Sequence, residues 1–354
     1  MLRFFQQRLM RRLMSHPSLE KLAAHALGCL RSDSPQPHYR PEGIFPNENK
    51  TLKASGPLFI TARFRSGSTL LWQAFDRLPG FTAYYEPLNE RRWFDPLSRG
   101  EGTDATHRGA RNYHNNYDGL DRLSAWFKEE WTYQNLAMGH SAHASALESY
   151  ISALVESAAE RPVLQFNRVD FRLPFLKAKF PDTSILHLRR NPRDSWRSTL
   201  KEAPNNQDWN LLSYSEHCHF YLLPWYRDLA ISYPWLLMDA HKTHPYKLHY
   251  LVSRLSDLFA ATWADSAISY EALCADFLGT FSQLFAENGH THSAQNTEKG
   301  TPIVPNVCPF DLSPLEGLMA PRKQAYDHSA DEDFYAGQEA AAELLLKAHL
   351  RKAD

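Results

Sequence analysis

No stretch of this 354-residue chain approaches the ~20 consecutive apolar residues that a membrane-spanning helix needs. Cysteine is scarce: Cys29, Cys218, Cys274 and Cys308 are scattered, with no C-x-x-C spacing and no metal-ligand pattern. They read as reduced core or surface thiols, for which a reducing cytoplasm is the simplest setting. An excess of one charge is missing too. Lys and Arg number 39 against 40 Asp and Glu, a net charge of -1, so nothing global argues for a nucleic-acid partner. There is no internal repeat and no low-complexity tract. The N-terminus, MLRFFQQRLMRRLM, lacks a signal-peptide core, because Arg3, Arg8, Arg11 and Arg12 interrupt every apolar stretch.

Aromatic residues are plentiful: 9 Trp, 16 Tyr and 20 Phe, enough for a large core and stacking surfaces. Residues 1–31 read as a basic amphipathic helix. It either lies on an acidic membrane or a partner, or packs on its own domain. Residues 32–55, rich in Pro, Ser and Asn, read as a linker or an extended arm. From residue 56 to 354 a single α/β domain is expected. Short apolar runs at Leu58–Thr61, Thr82–Tyr85, Val163–Phe166, Ser184–Leu188 and Ala267–Ser269 alternate with helical patterns. Such alternation predicts a central parallel sheet of about five strands with helices on both faces. Expected helices cover Ser68–Leu78, Ala144–Glu160, Leu173–Phe180, Arg193–Lys201, Ser213–Ala230, Lys247–Trp263, Glu271–Glu287 and Gln338–Leu350. The rhythm breaks over 88–140, where one helix is expected near Leu120–Trp131. This segment is an insertion near the mouth of a site or a surface excursion.

The first strand runs into ARFRSGSTLLW, the strand–turn–helix layout of a phosphate-binding loop. Two letters of G-x-x-x-x-G-K-[ST] are replaced: Ala62 stands for the first glycine and Ser68 for the lysine. A Ser/Gly turn at a helix N-terminus still offers backbone N–H groups to an anion. Ser66, Ser68 and Thr69 add hydroxyls, and Arg65 adds a forked cation suited to phosphate or sulfate oxygens. No strand ends in an Asp placed to hold Mg²⁺. The set suits a group transfer that does not lean on a metal. A second motif, SILHLRRNPRDSWRSTL, is a buried strand, then Arg-Arg-Asn-Pro-Arg, then a helix with Pro192 in its first turn. Arg190 and Ser198, eight residues apart, can grip a second phosphate.

Together, R-S-G-S-T-L-L and L-R-R-N-P-R-D-S-W-R-S resemble the two nucleotide-binding motifs of sulfotransferases that use 3′-phosphoadenosine 5′-phosphosulfate (PAPS). ISYEALCAD, Ile268–Asp276, is similar to the family's Y-E-x-L segment, and F-P-D precedes the second strand motif as in many relatives. The resemblance spans roughly 57–90 and 163–277. It implies a P-loop-like sulfotransferase fold and PAPS as co-substrate, with no metal. It also implies a 5′-phosphosulfate site at Arg65, Ser66, Gly67, Ser68 and Thr69, and a 3′-phosphate site at Arg190 and Ser198.

Sulfuryl transfer needs a base for the acceptor and positive charge for the sulfuryl group and leaving phosphate. Glu86 ends the second strand before Pro87, on the side of a doubly wound sheet that faces ligands. The Glu-Pro placement resembles carbohydrate-type sulfotransferases, whose base is this Glu. Its other reading is a structural pair with Arg91 or Arg92. Cytosolic relatives carry a His on the next strand, but here LQFNRVD places Asn167 and Arg168 at that position. Arg168 either polarises the sulfuryl oxygens or bridges Asp170 or Glu86. His107, His114, His140 and His143 read as solvated, and His187 as a core residue. Arg189 and Arg193 touch nucleotide or make salt bridges. Arg322 and Lys323 hint at a C-terminal Arg-Lys-Gly segment whose glycine is absent. The expected acceptor is a hydroxyl, with an amine as the other option, on a small molecule, carbohydrate or lipid; RRWFDP and RNYHNNYDG are its candidate lining. The rival readings are a P-loop kinase or other NTPase, and a non-catalytic nucleotide-binding protein.

Overall fold

The five apolar runs form five strands: β1 (Leu58–Ala62), β2 (Phe81–Tyr85), β3 (Arg161–Phe166), β4 (Ser184–Arg189) and β5 (Ser266–Ser269). The structure is a computed structural model and describes residues 34–99, 112–200, 207–217, 222–237, 239, 241–286, 308–318 and 325–352. The N-terminal helix expected over 1–31 lies outside these residues.

All pairings are parallel, in the order β2-β3-β1-β4-β5. Every residue of β1 is buried, as a central strand covered on both faces requires. From β1 the chain moves out to β2, returns through β3, and crosses to β4 on the other side. The strand order therefore reverses about β1, and the carboxyl ends of β3, β1 and β4 border one crevice. Register is set by Ile60 opposite Gln165 and Leu186, and by Tyr85 opposite Gln165.

Helix α1 (Ser68–Arg77) buries Leu70, Leu71, Ala74 and Phe75, and the Trp72 indole N–H donates to the Ala83 carbonyl of β2 at 3.0 Å. The other helices are α2 (Ser145–Ser157), α3 (Leu173–Lys179), α4 (Pro192–Leu200), α5 (Leu211–His217), α6 (Leu222–Ser232), α7 (Pro245–Trp263), α8 (Tyr270–Ala275), α9 (Phe277–Gln283) and α10 (Glu332–His349). Two expectations are corrected. The helix expected over Glu271–Glu287 is two, because Asp276 adopts an extended backbone and its carboxylate caps α9 through the Gly279 N–H at 2.9 Å. A side chain at Gly279 would strike that carboxylate. The helix expected near Leu120–Trp131 is instead two 3₁₀ turns, Asp121–Ala125 and Glu129–Thr132, with Lys128 extended between them. That break lets Phe127 and Trp131 both pack on Tyr150, at 5.8 and 5.6 Å.

The described part of the insertion is fastened to the sheet. Tyr117 donates to the Tyr85 carbonyl at 3.0 Å and Asn116 to the Ala83 carbonyl at 2.9 Å. Arg172, fully buried, donates to the carbonyls of Trp131, Gln134 and Asn135. The Pro-rich arm is bonded as well: Asn47 donates to Ala260 and Ala264, and the Leu52 N–H to Leu284.

Candidate active site

The loop after β1 turns through two left-handed residues, Arg65 at φ 65 and Gly67 at φ 93. Only glycine fits at 67, since a Cβ there would lie 2.3 Å from the Tyr270 ring. The Ser66 hydroxyl donates to the Arg63 carbonyl at 2.6 Å, closing the turn from inside. Helix α1 follows at once, with Ser68 buried at its start. Its first amides point out of the sheet end, where an anion is favoured.

The second motif folds onto the same loop. Arg190, leaving β4, donates from Nη1 to the Arg65 carbonyl at 2.9 Å, and its guanidinium lies 4.5 Å over the Tyr270 ring. Arg65 Nε donates to Ser198 Oγ of α4 at 3.0 Å. Residues from β1, β4, α4 and the β5–α8 junction thus meet around Arg65. Arg190 Nε is buried with no hydrogen-bond partner, a donor that a phosphate oxygen would satisfy. The crowded glycine, the helix amides and this orphaned donor fit the phosphates of a bisphosphorylated nucleotide. Tyr270 was not singled out in the sequence, although its segment was. Its neighbour Glu271 accepts from the Asn191 N–H at 2.9 Å, which steadies the turn after Arg190.

Glu86 directly follows β2 with a third left-handed backbone, φ 39. Such conformations in non-glycine residues cost about 1–3 kcal/mol and cluster at working sites. Glu86 is 8% exposed. Oε1 accepts from Asn167 Nδ2 at 2.6 Å, and Oε2 from Asn89 Nδ2 and from Arg168 Nη1 at 3.3 Å. Arg168 continues to Glu90 at 2.7 Å. Its ion partners are therefore Glu86 and Glu90, whereas Asp170 pairs with Arg63 at 3.1 Å and with the Thr61 hydroxyl. The partner of Glu86 is not Arg91 or Arg92; Arg92 pairs with Glu129 and Arg91 lies over Trp93. Thr69 Oγ1 lies 3.1 Å from the Tyr85 hydroxyl. Burial first, then the Glu86 charge, pushes the Tyr85 phenol well above its ordinary range.

The remaining candidates disperse. Arg193 forms a bidentate pair with Glu339 at 2.8 Å and a second pair with Glu332 at 2.6 Å, binding α4 to α10. Arg189 pairs with Glu48. His187 is a buried core residue facing Asp257 at 3.0 Å, and His114 sits beside Asp118. His107, Arg322 and Lys323 lie outside the described residues. Among the described residues no helix is long and apolar enough to cross a membrane.

The profile of the Sulfotransferase family matches residues 57–291, more than half of the chain, and the protein belongs to that family. No curated protein matches it in sequence. Two solved structures are similar. A sulfotransferase domain from the curacin biosynthetic pathway shares 15% identity, covers 66% of this chain and 73% of its own, and has a TM-score of 0.35. A sulfotransferase from Alicyclobacillus acidocaldarius also shares 15% identity, covers 85% and 98%, and has a TM-score of 0.36.

Proposed function

We propose that the protein moves the sulfuryl group of PAPS to an acceptor hydroxyl, on a carbohydrate or lipid-linked glycan. The observation that carries the donor assignment is the meeting of Arg65, Gly67, Arg190 and Ser198 at the carboxyl ends of β1 and β4. In this reading Arg65 and the α1 amides, with Ser66, Ser68 and Thr69, take the 5′-phosphosulfate. Arg190 and Ser198 take the 3′-phosphate. PAPS supplies an activated sulfuryl group on a good leaving phosphate.

Glu86 is the proposed base. Asn89, Asn167 and Arg168 aim its carboxylate, so an acceptor hydroxyl reaching it replaces one donor. The Arg168 bond, at 3.3 Å, is the longest. Once released, Arg168 provides positive charge for the sulfuryl oxygens. The sugar preference rests on the Glu-Pro resemblance.

Calorimetric titration with 3′,5′-adenosine bisphosphate, and in parallel with ATP and Mg²⁺, tests the donor assignment. Tighter binding of the bisphosphate is expected, and its loss in a folded Arg65→Ala variant. Preference for ATP with Mg²⁺ overturns the reading in favour of a kinase or NTPase.

A further inference from the structure

The segment 167–172, directly after β3, is bonded in three directions. Asn167 and Arg168 reach Glu86 beyond the end of β2. Arg172 donates to the insertion at Trp131, Gln134 and Asn135, and back to the Arg168 carbonyl at 2.9 Å. Between them, Asp170 reaches the end of β1. Its two oxygens take separate donors: Oδ1 the Thr61 hydroxyl, and Oδ2 Arg63 Nη1 at 3.1 Å. Asp170 is 0% exposed and Thr61 1%.

Thr61 and Arg63 bracket the point where β1 becomes the loop. The Arg63 carbonyl accepts from the Ser66 N–H at 3.3 Å and from the Ser66 hydroxyl at 2.6 Å. The Ser/Gly turn therefore closes on Arg63. The Arg63 guanidinium lies 4.3 Å over the Trp225 ring, so it is held from a second side.

We infer that Asp170 is a positioning residue: it holds the root of the donor loop at a fixed place relative to Glu86. The inference rests on the sulfotransferase reading. Group transfer needs donor and base in a fixed mutual geometry, and a misplacement of about 1 Å is costly. A buried carboxylate that takes two donors cannot shift without losing one of them. Asp170 grips β1 from a segment whose Asn167 and Arg168 hold the base, so one short stretch of chain fixes both. Position and charge predict opposite signs here. The bisphosphate is strongly anionic, and a carboxylate beneath its site repels it. Acting by charge alone, Asp170 would weaken nucleotide binding, and its removal would tighten it. Acting by position, its removal loosens the loop and weakens binding.

The test is calorimetric binding of 3′,5′-adenosine bisphosphate to the full chain. It uses wild type, Asp170→Ala, Asp170→Asn and Thr61→Val, with thermal unfolding to check that each is folded. Asp170→Ala removes the charge and both grips, and is expected to weaken binding by about tenfold or more. Asp170→Asn removes the same charge but keeps the shape. Its amide oxygen can accept from Arg63 and its N–H can donate to Thr61, so it is expected to bind more tightly than Asp170→Ala. Thr61→Val removes one grip with no change of charge, and is expected to fall between wild type and Asp170→Ala. Folded Asp170→Ala binding as tightly as wild type, or more tightly, overturns the inference. Equal affinity of the two Asp170 variants overturns it as well, because charge would then be all that Asp170 supplies. Where either Asp170 variant fails to fold, Thr61→Val decides: weaker binding supports the inference and wild-type affinity overturns it. Failure of wild type to bind the nucleotide at all removes the sulfotransferase reading instead.

Discussion

Glu86 and Gly67 show how much a single residue decides here. Neither is ordinary in its backbone, and each meets a residue far from it along the chain, Tyr270 for Gly67 and Asn167 for Glu86. At Gly67 two constraints coincide: a positive φ of 93, and the Tyr270 ring 2.3 Å from any added Cβ. Alanine in the left-handed region costs about 1–2 kcal/mol before any clash is counted, and the displaced ring also supports Arg190. Gly67→Ala is therefore expected to lower the melting temperature and to abolish bisphosphate binding; calorimetry on the folded variant checks it. The glycine was legible in the sequence as part of a loop pattern. Its second constraint was not, because Tyr270 lies about two hundred residues away.

At the scale of elements, the ends of strands carry the candidate chemistry and the helices hold those ends still. Helix α4 carries Ser198 and is anchored at both sides. Asp194 accepts from the Tyr326 N–H at 3.0 Å and faces His328 at 2.8 Å, while Arg193 grips Glu339 and Glu332 on α10. Arg193 thus serves the packing of α4 on the C-terminal helix. Truncating one partner of a charged hydrogen-bonded pair costs about 1–3 kcal/mol. Arg193→Ala is expected to lose about that much in denaturant unfolding while binding of 3′,5′-adenosine bisphosphate is retained. A large loss of affinity without loss of stability would instead place Arg193 against the nucleotide. The sequence left both roles open, since an Arg after Pro192 has the same signature either way.

The whole molecule buries charge directly beneath the loop. Arg63 and Asp170 pair at 3.1 Å, Arg63 lies 4.3 Å over Trp225, and His249 of α7 sits near this cation with its Nε2 2.9 Å from Ser195 Oγ. Burial first, and then Arg63, holds the His249 imidazole down to about 3 from an ordinary 6.5. Between those two values the unfolded chain binds a proton that the folded chain refuses. Stability therefore falls as pH drops below about 6.5, and the loss is complete near pH 3. Replacing His249 with Gln is expected to flatten that part of the stability–pH curve, measured by urea unfolding from neutral to acid pH. An unchanged curve would mean that the imbalance lies in other groups.

What the sequence by itself determined is local: five apolar runs of strand length, the Ser/Gly turn with Arg65, and the Arg190–Ser198 spacing. Each is a pattern within about twenty residues, where backbone geometry and side-chain period speak directly. The parallel class follows from their alternation with helices. What only the tertiary structure decided is who meets whom. Arg65 reaches Ser198 because β1 and β4 are neighbours. Arg168 turns to Glu86 and Glu90, leaving Asp170 to Arg63. Thr69 meets the Tyr85 hydroxyl because α1 packs over β2. Partner choice among many arginines and carboxylates depends on three-dimensional distance and shared burial, and neither is written in the spacing along the chain.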